Sequence, residues 1–257
     1  MTSTVPLPTA AAVIGGSTGI GRGVADAWAA LGVETHVFSR SRPQGPGADR
    51  LAWTRLDLRD AEEAQRVLRY GLPTGLGLVC YSAVYYTGRR APFLETDDQD
   101  WQDQFSVNVH GLAWTARAAL PLLRAAAPGL FLHISSEVVY NAGPHRAGYA
   151  ATKAAASSLV RSVALETDPA EVSVVEAMPA GMVDTPGIRA RRSEGFDYSD
   201  YMAPGAFAPL AAELARTRGA AHAGDALVVR DDATWSSVAA GTPVSQSRPL
   251  AHQLPEE

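Results

Sequence analysis

Tyr149 and Lys153 stand four residues apart in Tyr149-Ala150-Ala151-Thr152-Lys153, and Ser136 lies thirteen residues upstream of the tyrosine. The Ala-rich run from Ala147 to about Glu166 has few helix breakers and predicts one long helix. Residues at this spacing share a helix face, so the Tyr149 hydroxyl is expected to meet the Lys153 ammonium. A cation beside a phenol favours the phenolate and lowers its pKa from about 10. Such a phenol can give and take a proton near neutral pH. Ser136 follows the apolar run Leu130-Phe131-Leu132-His133-Ile134, which reads as a buried strand and brings a hydroxyl to the same crevice. Many ordinary helix faces carry a Tyr and a Lys at this spacing, so the meaning of the pair rests on what surrounds it.

The elements that would position these groups must fit within 257 residues, enough for one α/β domain with a large core. Hydrophobic residues at 46% and charged residues at 19% describe an ordinary globular chain. A net charge of −5 and the lack of a dense Lys/Arg cluster exclude a nucleic-acid footprint. Lys153 is the only lysine, and arginine supplies every other side-chain cation. The single cysteine, Cys80, excludes an internal disulfide and sits in an apolar run that reads as core. No apolar stretch reaches the roughly 18 residues of a membrane span, and the N-terminus lacks a basic signal-peptide region. A cytoplasmic protein is therefore expected. The histidines are scattered, and no ligand spacing predicts a metal.

Residues 1–8 read as a flexible leader. Ala10 to Ile14 then forms a short apolar strand running into Gly15-Gly16-Ser17-Thr18-Gly19-Ile20-Gly21, and a helix follows to about Leu31, stopped by Gly32. A strand, a glycine turn and a helix in that order make an anion site, because free N–H groups and the helix dipole face the turn. Glu34 to Ser39 is a second strand, followed by Arg40-Ser41-Arg42, whose arginines suit either a phosphate or loop solvation. Leu51 to Leu58 is a third strand, and Gly77 to Ala83 forms a fourth. A helix from Asp97 to Ala126 is expected to bend at Pro121, and Val172 to Met178 and Ala226 to Val229 supply later strands.

The glycine turn Gly15-x-x-x-Gly19-x-Gly21, with Asn108, Ser136 and Tyr149-x-x-x-Lys153, resembles the short-chain dehydrogenase/reductase family over about residues 9–185. Three departures are visible. Ile14 replaces the usual Thr before the turn, Tyr81-Ser82-Ala83-Val84 replaces Asn-Asn-Ala-Gly, and Ala180-Gly181 stands where the family has Pro-Gly. The resemblance implies a nicotinamide dinucleotide held by Gly15, Ser17, Thr18, Gly19, Ile20, Gly21, Leu58, Ala83, Gly181, Val183 and Thr185, with Tyr149 and Lys153 also touching it. Asp57 is placed beside the adenine, and N-capping of the next helix is its alternative role. Arg40 favours NADP(H), with NAD(H) as second choice. Ser136 would polarise the substrate oxygen, Tyr149 exchange its proton, Lys153 tune Tyr149, and Asn108 hold a water that refills the proton.

The expected architecture is α/β: a single-domain, three-layer, Rossmann-like doubly wound parallel sheet of about seven strands over 9–230. Residues 186–209 read as a substrate lid, in which Arg189, Arg191 and Arg192 either attract an acidic substrate or simply face solvent. Residues 231–257 read as an extended tail. The function expected is an NADP(H)-dependent ketoreductase acting on a small carbonyl/alcohol pair, with a secondary-metabolite ketone as the substrate guess. The alternatives are an epimerase, dehydratase or cyclase using the same Tyr149, or a non-catalytic NADP sensor. No nucleic acid or membrane partner is expected, and Ala-rich faces at 112–126 and 154–165 favour a homodimer or homotetramer.

Overall fold

The apolar runs become strands, and the central ones are buried on both faces, as parallel strands covered by helices must be. They are β1 (Ala10–Ile14), β2 (Glu34–Ser39), β3 (Leu51–Arg55), β4 (Leu76–Tyr81), β5 (Gly129–Ile134), β6 (Val172–Pro179) and β7 (Ala226–Val229). The computed structural model describes residues 5–87 and 91–240. Gly88, Arg89 and Arg90, the first four leader residues and tail residues 241–257 lie outside the described residues.

The strands form one sheet in the order β3-β2-β1-β4-β5-β6-β7-β8. All pairings are parallel except that of β8 (Trp235–Ser237), which returns antiparallel to β7. This eighth strand falls in the segment read as tail. A tight turn carries it, in which the Arg230 amide donates to the Thr234 carbonyl at 2.9 Å and Ala233 takes a positive φ of 63°. The order reverses between β1 and β4, and a ligand crevice is expected outside the strand ends at that reversal. The third strand stops at Arg55, three residues earlier than its apolar pattern suggested, so Asp57 and Leu58 lie in the loop beyond it.

Helices α1 (Gly19–Ala30) and α7 (Ala208–Thr217) cover one face of the sheet. Trp28 locks them together: it is fully buried, and its indole nitrogen donates to the Ala211 carbonyl at 3.0 Å. Burying a large apolar side chain of this kind stabilises by about 1.5–3 kcal/mol. On the other face lie α2 (Ala61–Gly71), α3 (Asp98–Phe105), α4 (Gly111–Ala125) and α5 (Ala147–Leu165). Asp60 caps α2 by accepting from the Glu63 amide, so the capping role open to Asp57 belongs to Asp60.

The helix is not interrupted at Pro121, and α4 runs through it. The interruption falls instead at Ser106–His110, a wide π-helical turn between α3 and α4. Such a turn inserts one extra residue and displaces carbonyls from the helical ladder. The fully buried Tyr81 at the end of β4 donates its hydroxyl to the Val107 carbonyl. Gly111 leaves room for this bond, because a Cβ there would lie 2.6 Å from the Tyr81 hydroxyl and 3.0 Å from Leu58. Gly111→Ala should therefore lower stability by about 1–3 kcal/mol in denaturant unfolding. The same substitution in a Tyr81→Phe background should cost less, because the obstructing oxygen is gone. Equal costs in both backgrounds would remove this account of the turn.

Candidate active site

The strand ends at the sheet reversal are laced together before any side chain is considered. The Gly15 amide donates to the Phe38 carbonyl and the Ser82 amide to the Ile14 carbonyl, each at 2.8 Å. Gly15 has a φ of +85°, and a Cβ on it would sit 2.4 Å from the Ala83 nitrogen. A Cβ on Gly21 would sit 2.4 Å from the Gly15 carbonyl oxygen. These two glycines let the turn, α1 and the β4 loop close on one another. Thr18 begins α1 without a side-chain cap, and the first turn carries no acidic residue, so the positive end of the helix faces the crevice unopposed. This cradle fits a dinucleotide pyrophosphate.

The crevice has a volume of about 740 Å³. Gly15, Ser17, Thr18, Gly19, Ile20, Arg40, Asp57, Leu58, Ala83, Ser136, Tyr149, Lys153, Gly181, Val183 and Thr185 all line it. Gly21 lies beneath the turn, and Asn108 is buried behind the wall. Arg40 is exposed at the end of β2, and no described residue forms a hydrogen bond or ion pair with its side chain. Asp57 is engaged by Arg59, whose guanidinium donates to both carboxylate oxygens at 3.0 and 2.7 Å. That pairing holds Asp57 below the usual carboxylate range, against the opposing effect of burial. Arg59 went unnoticed in the sequence, where an arginine two residues after an aspartate carries no signal.

Lys153 is buried, and its ammonium donates to the Ile134 carbonyl at 2.9 Å rather than to the phenol one turn away. Burial brings its pKa down to about 8, opposed by the negative charges of Glu176 and Glu137. Tyr149 consequently departs from the expectation of a lowered pKa. Burial and the neighbouring Tyr86 raise it well above the ordinary value, and hydrogen bonding with Ser136 is the opposing influence. The Tyr86 and Tyr149 rings lie 4.8 Å apart. Ser136 donates to the Glu137 carboxylate at 2.8 Å and accepts from the Val138 amide.

Asn108 spends its side chain on protein partners. It accepts from the Tyr85 amide at 2.7 Å and donates to the Tyr85 carbonyl and, at 3.0 Å, to the Thr152 hydroxyl. It thereby ties the β4 loop to α5. A proton-relay water would have to use its main-chain carbonyl, in the wide turn where the helical ladder is disturbed.

Comparison with known proteins now bears on this geometry. The family model described as "short chain dehydrogenase" matches residues 9–195. The chain belongs to the short-chain dehydrogenase/reductase family. It is thus an NAD(P)-dependent oxidoreductase. L-xylulose reductase of Bos taurus is 29% identical over 184 residues, covering 68% of this chain and 72% of that protein. A solved dehydrogenase/reductase from Sinorhizobium meliloti 1021 superposes with a TM-score of 0.71 at 25% identity, covering 91% of this chain and 97% of the other. The structure titled "ElxO with NADP Bound" has the same fold, with a TM-score of 0.73 at 19% identity over 87% of this chain and 98% of that one.

Within the family frame, the departures sort by their physical consequences. The turn after β6 is pinned by the Ala180 amide donating to the Val229 carbonyl at 2.8 Å, and Gly181 has ordinary space around it. Val183 bridges Met202 and so ties the start of the segment after β6 to its later part. Thr185 caps α6 (Pro186–Arg189), accepting from the Ile188 amide, and its methyl group lies against Gly19. Among the described residues, no cluster of His, Cys, Asp or Glu is placed to hold a metal, and no helix is long and apolar enough to cross a membrane.

Behind Lys153 lies a layer that the sequence did not announce. Glu176 on β6 and His133 on β5 are register partners, 3.4 Å apart and almost wholly buried. Burial would raise Glu176, but His133 and the Ser157 hydroxyl, donating at 2.8 Å, hold it at about 2. His133 is itself pushed down by burial. The Glu176 carboxylate supports the ammonium. Glu176→Gln should lower the Lys153 pKa and move the alkaline fall in activity to lower pH. A pH–rate profile checks this, and an unmoved or upward-shifted limb would contradict it.

Proposed function

We propose that the chain is an NADP(H)-dependent ketoreductase, interconverting a ketone and a secondary alcohol and working mainly towards the alcohol. The observation that carries this reading is that Tyr149, Ser136 and Lys153 line one crevice together with the glycine cradle. A protonated phenol can give its proton to a developing alkoxide, which is the stronger base. L-xylulose reductase, a relative by sequence, is named for reduction, and this agrees with the direction inferred.

A nicotinamide dinucleotide bound in this cradle would supply the hydride. Ser136 rotates its hydroxyl from Glu137 to the substrate oxygen and stabilises charge where it forms. Tyr149 delivers the proton to that oxygen. Lys153, with a pKa near neutrality, holds positive charge beneath the site and orients the ribose next to it. Asn108 fixes the β4 loop and α5 in register, and its main-chain carbonyl holds the water of the proton relay. Gly15 to Gly21 seat the pyrophosphate, and Arg40 takes the 2′-phosphate as a fork. Two copies pair through the small-residue outer faces of α4 and α5, giving a homodimer or homotetramer.

Tyr149→Phe should lower kcat by about 10²–10⁴-fold while leaving NADPH binding largely intact, measured by steady-state kinetics and fluorescence titration. Retained turnover would end the assignment of Tyr149 as the acid. Arg40→Ala should weaken NADPH about tenfold or more and NADH far less. Equal losses for the two cofactors would remove the NADP preference.

A further inference from the structure

The mechanism leaves Arg191 on the crevice wall unused. Of the three lid arginines, Arg189 is spent on a two-pronged pair with Asp184 at 2.6 Å and on the Tyr198 ring. Arg192 donates to the Tyr201 hydroxyl at 2.9 Å. Arg191 alone lines the crevice. Its Nε donates to the Gly187 carbonyl at 2.8 Å, which sets the orientation of the guanidinium. Its Nη2 is buried without a hydrogen-bond partner, and among the described residues no carboxylate pairs with it.

The position is specific. The Arg191 Cζ lies 4.0 Å over the centre of the Tyr86 ring, and that ring lies 4.8 Å from Tyr149. Laid end to end, these two spans bound the separation between the guanidinium and the catalytic phenol. Glu137 stands 3.7 Å from Arg146 and accepts from Ser136, so it is engaged away from Arg191. Arg146 is further committed to the Asn141 carbonyl. Arginine stays charged in proteins, so burial makes this donor fork costly until an anion meets it.

We propose that Arg191 is the recognition point for an oxyanion on the substrate, so that the substrate is a short carbonyl compound bearing a carboxylate or phosphate a few bonds from its ketone. This rests on the ketoreductase reading and sharpens it. The reduction is unaltered: the carbonyl carbon takes the hydride, the C=O π pair moves to oxygen, and that oxygen takes the Tyr149 proton. The oxyanion is a spectator held by the Arg191 fork.

The test uses matched pairs with NADPH: acetoacetate and levulinate against their methyl esters, and dihydroxyacetone phosphate against dihydroxyacetone. The wild type should prefer the anion in at least one pair by about tenfold or more in kcat/KM, carried by KM. The carboxylate and phosphate arms identify which oxyanion is read. Arg191→Met should collapse that ratio towards one, and Arg191→Lys, which keeps the charge without the fork, should retain part of it. No preference in any pair, or a preference that survives in Arg191→Met, overturns the proposal. If no carbonyl is reduced, the ketoreductase reading fails separately, and calorimetry of acetoacetate against its methyl ester decides the role of Arg191. Acid-selective binding lost in Arg191→Met supports it, and equal binding overturns it.

Discussion

A buried ammonium is the constraint on which this site depends. Lys153 is 5% exposed, and a charge so placed persists only with hydrogen bonds and a counter-charge. The Ile134 carbonyl at the end of β5 supplies the bond, and Glu176 on β6 supplies the charge. Both are strand features, so satisfying the lysine fixes α5 against the carboxyl ends of two central strands. Ser157 on α5 repeats the attachment by donating to Glu176. Tyr149, one turn earlier on α5, is then set at the crevice, where Ser136 arrives from the same strand end.

The wall opposite α5 is held in the same manner. The π-helical turn at Ser106–His110 is stabilised from β4 by Tyr81 and from the β4 loop and α5 through Asn108. Loop, wide turn and catalytic helix thus share one polar cluster. The segment after β6 arrives from the third side, pinned at Val183–Met202, and lays Arg191 across Tyr86.

Most of the sheet was legible because each parallel strand is a short apolar run bounded by turn residues, and the glycine turn announced itself between strand and helix. What was hidden depended on residues distant in sequence. The wide turn at Ser106–His110 is one such feature, because Tyr81 and Gly111 accommodate it and no local pattern reports them. Helical spacing correctly put Tyr149 and Lys153 on one face, yet a strand carbonyl competed for the ammonium and won. The phenol is therefore raised by burial rather than lowered by a cation. Arg59 and Glu176 were invisible for the same reason, because their partners are defined only once strands and loops converge; the lid-region arginines were noticed, but which of the three faces the crevice was not readable. The edge strand β8 was missed because three residues carry too little periodicity to separate strand from tail.

A protonated phenol, a supported ammonium and a glycine cradle on one rim describe hydride transfer coupled to proton delivery. The most direct measurement of that claim is the stoichiometry of a reaction run with NADPH deuterated at C4, following cofactor oxidation and product together. The account predicts that each carbonyl reduced consumes one NADPH and that the deuterium appears on the new carbinol carbon. Product formed without net NADPH oxidation, as in an epimerase or dehydratase using the same tyrosine, would contradict it.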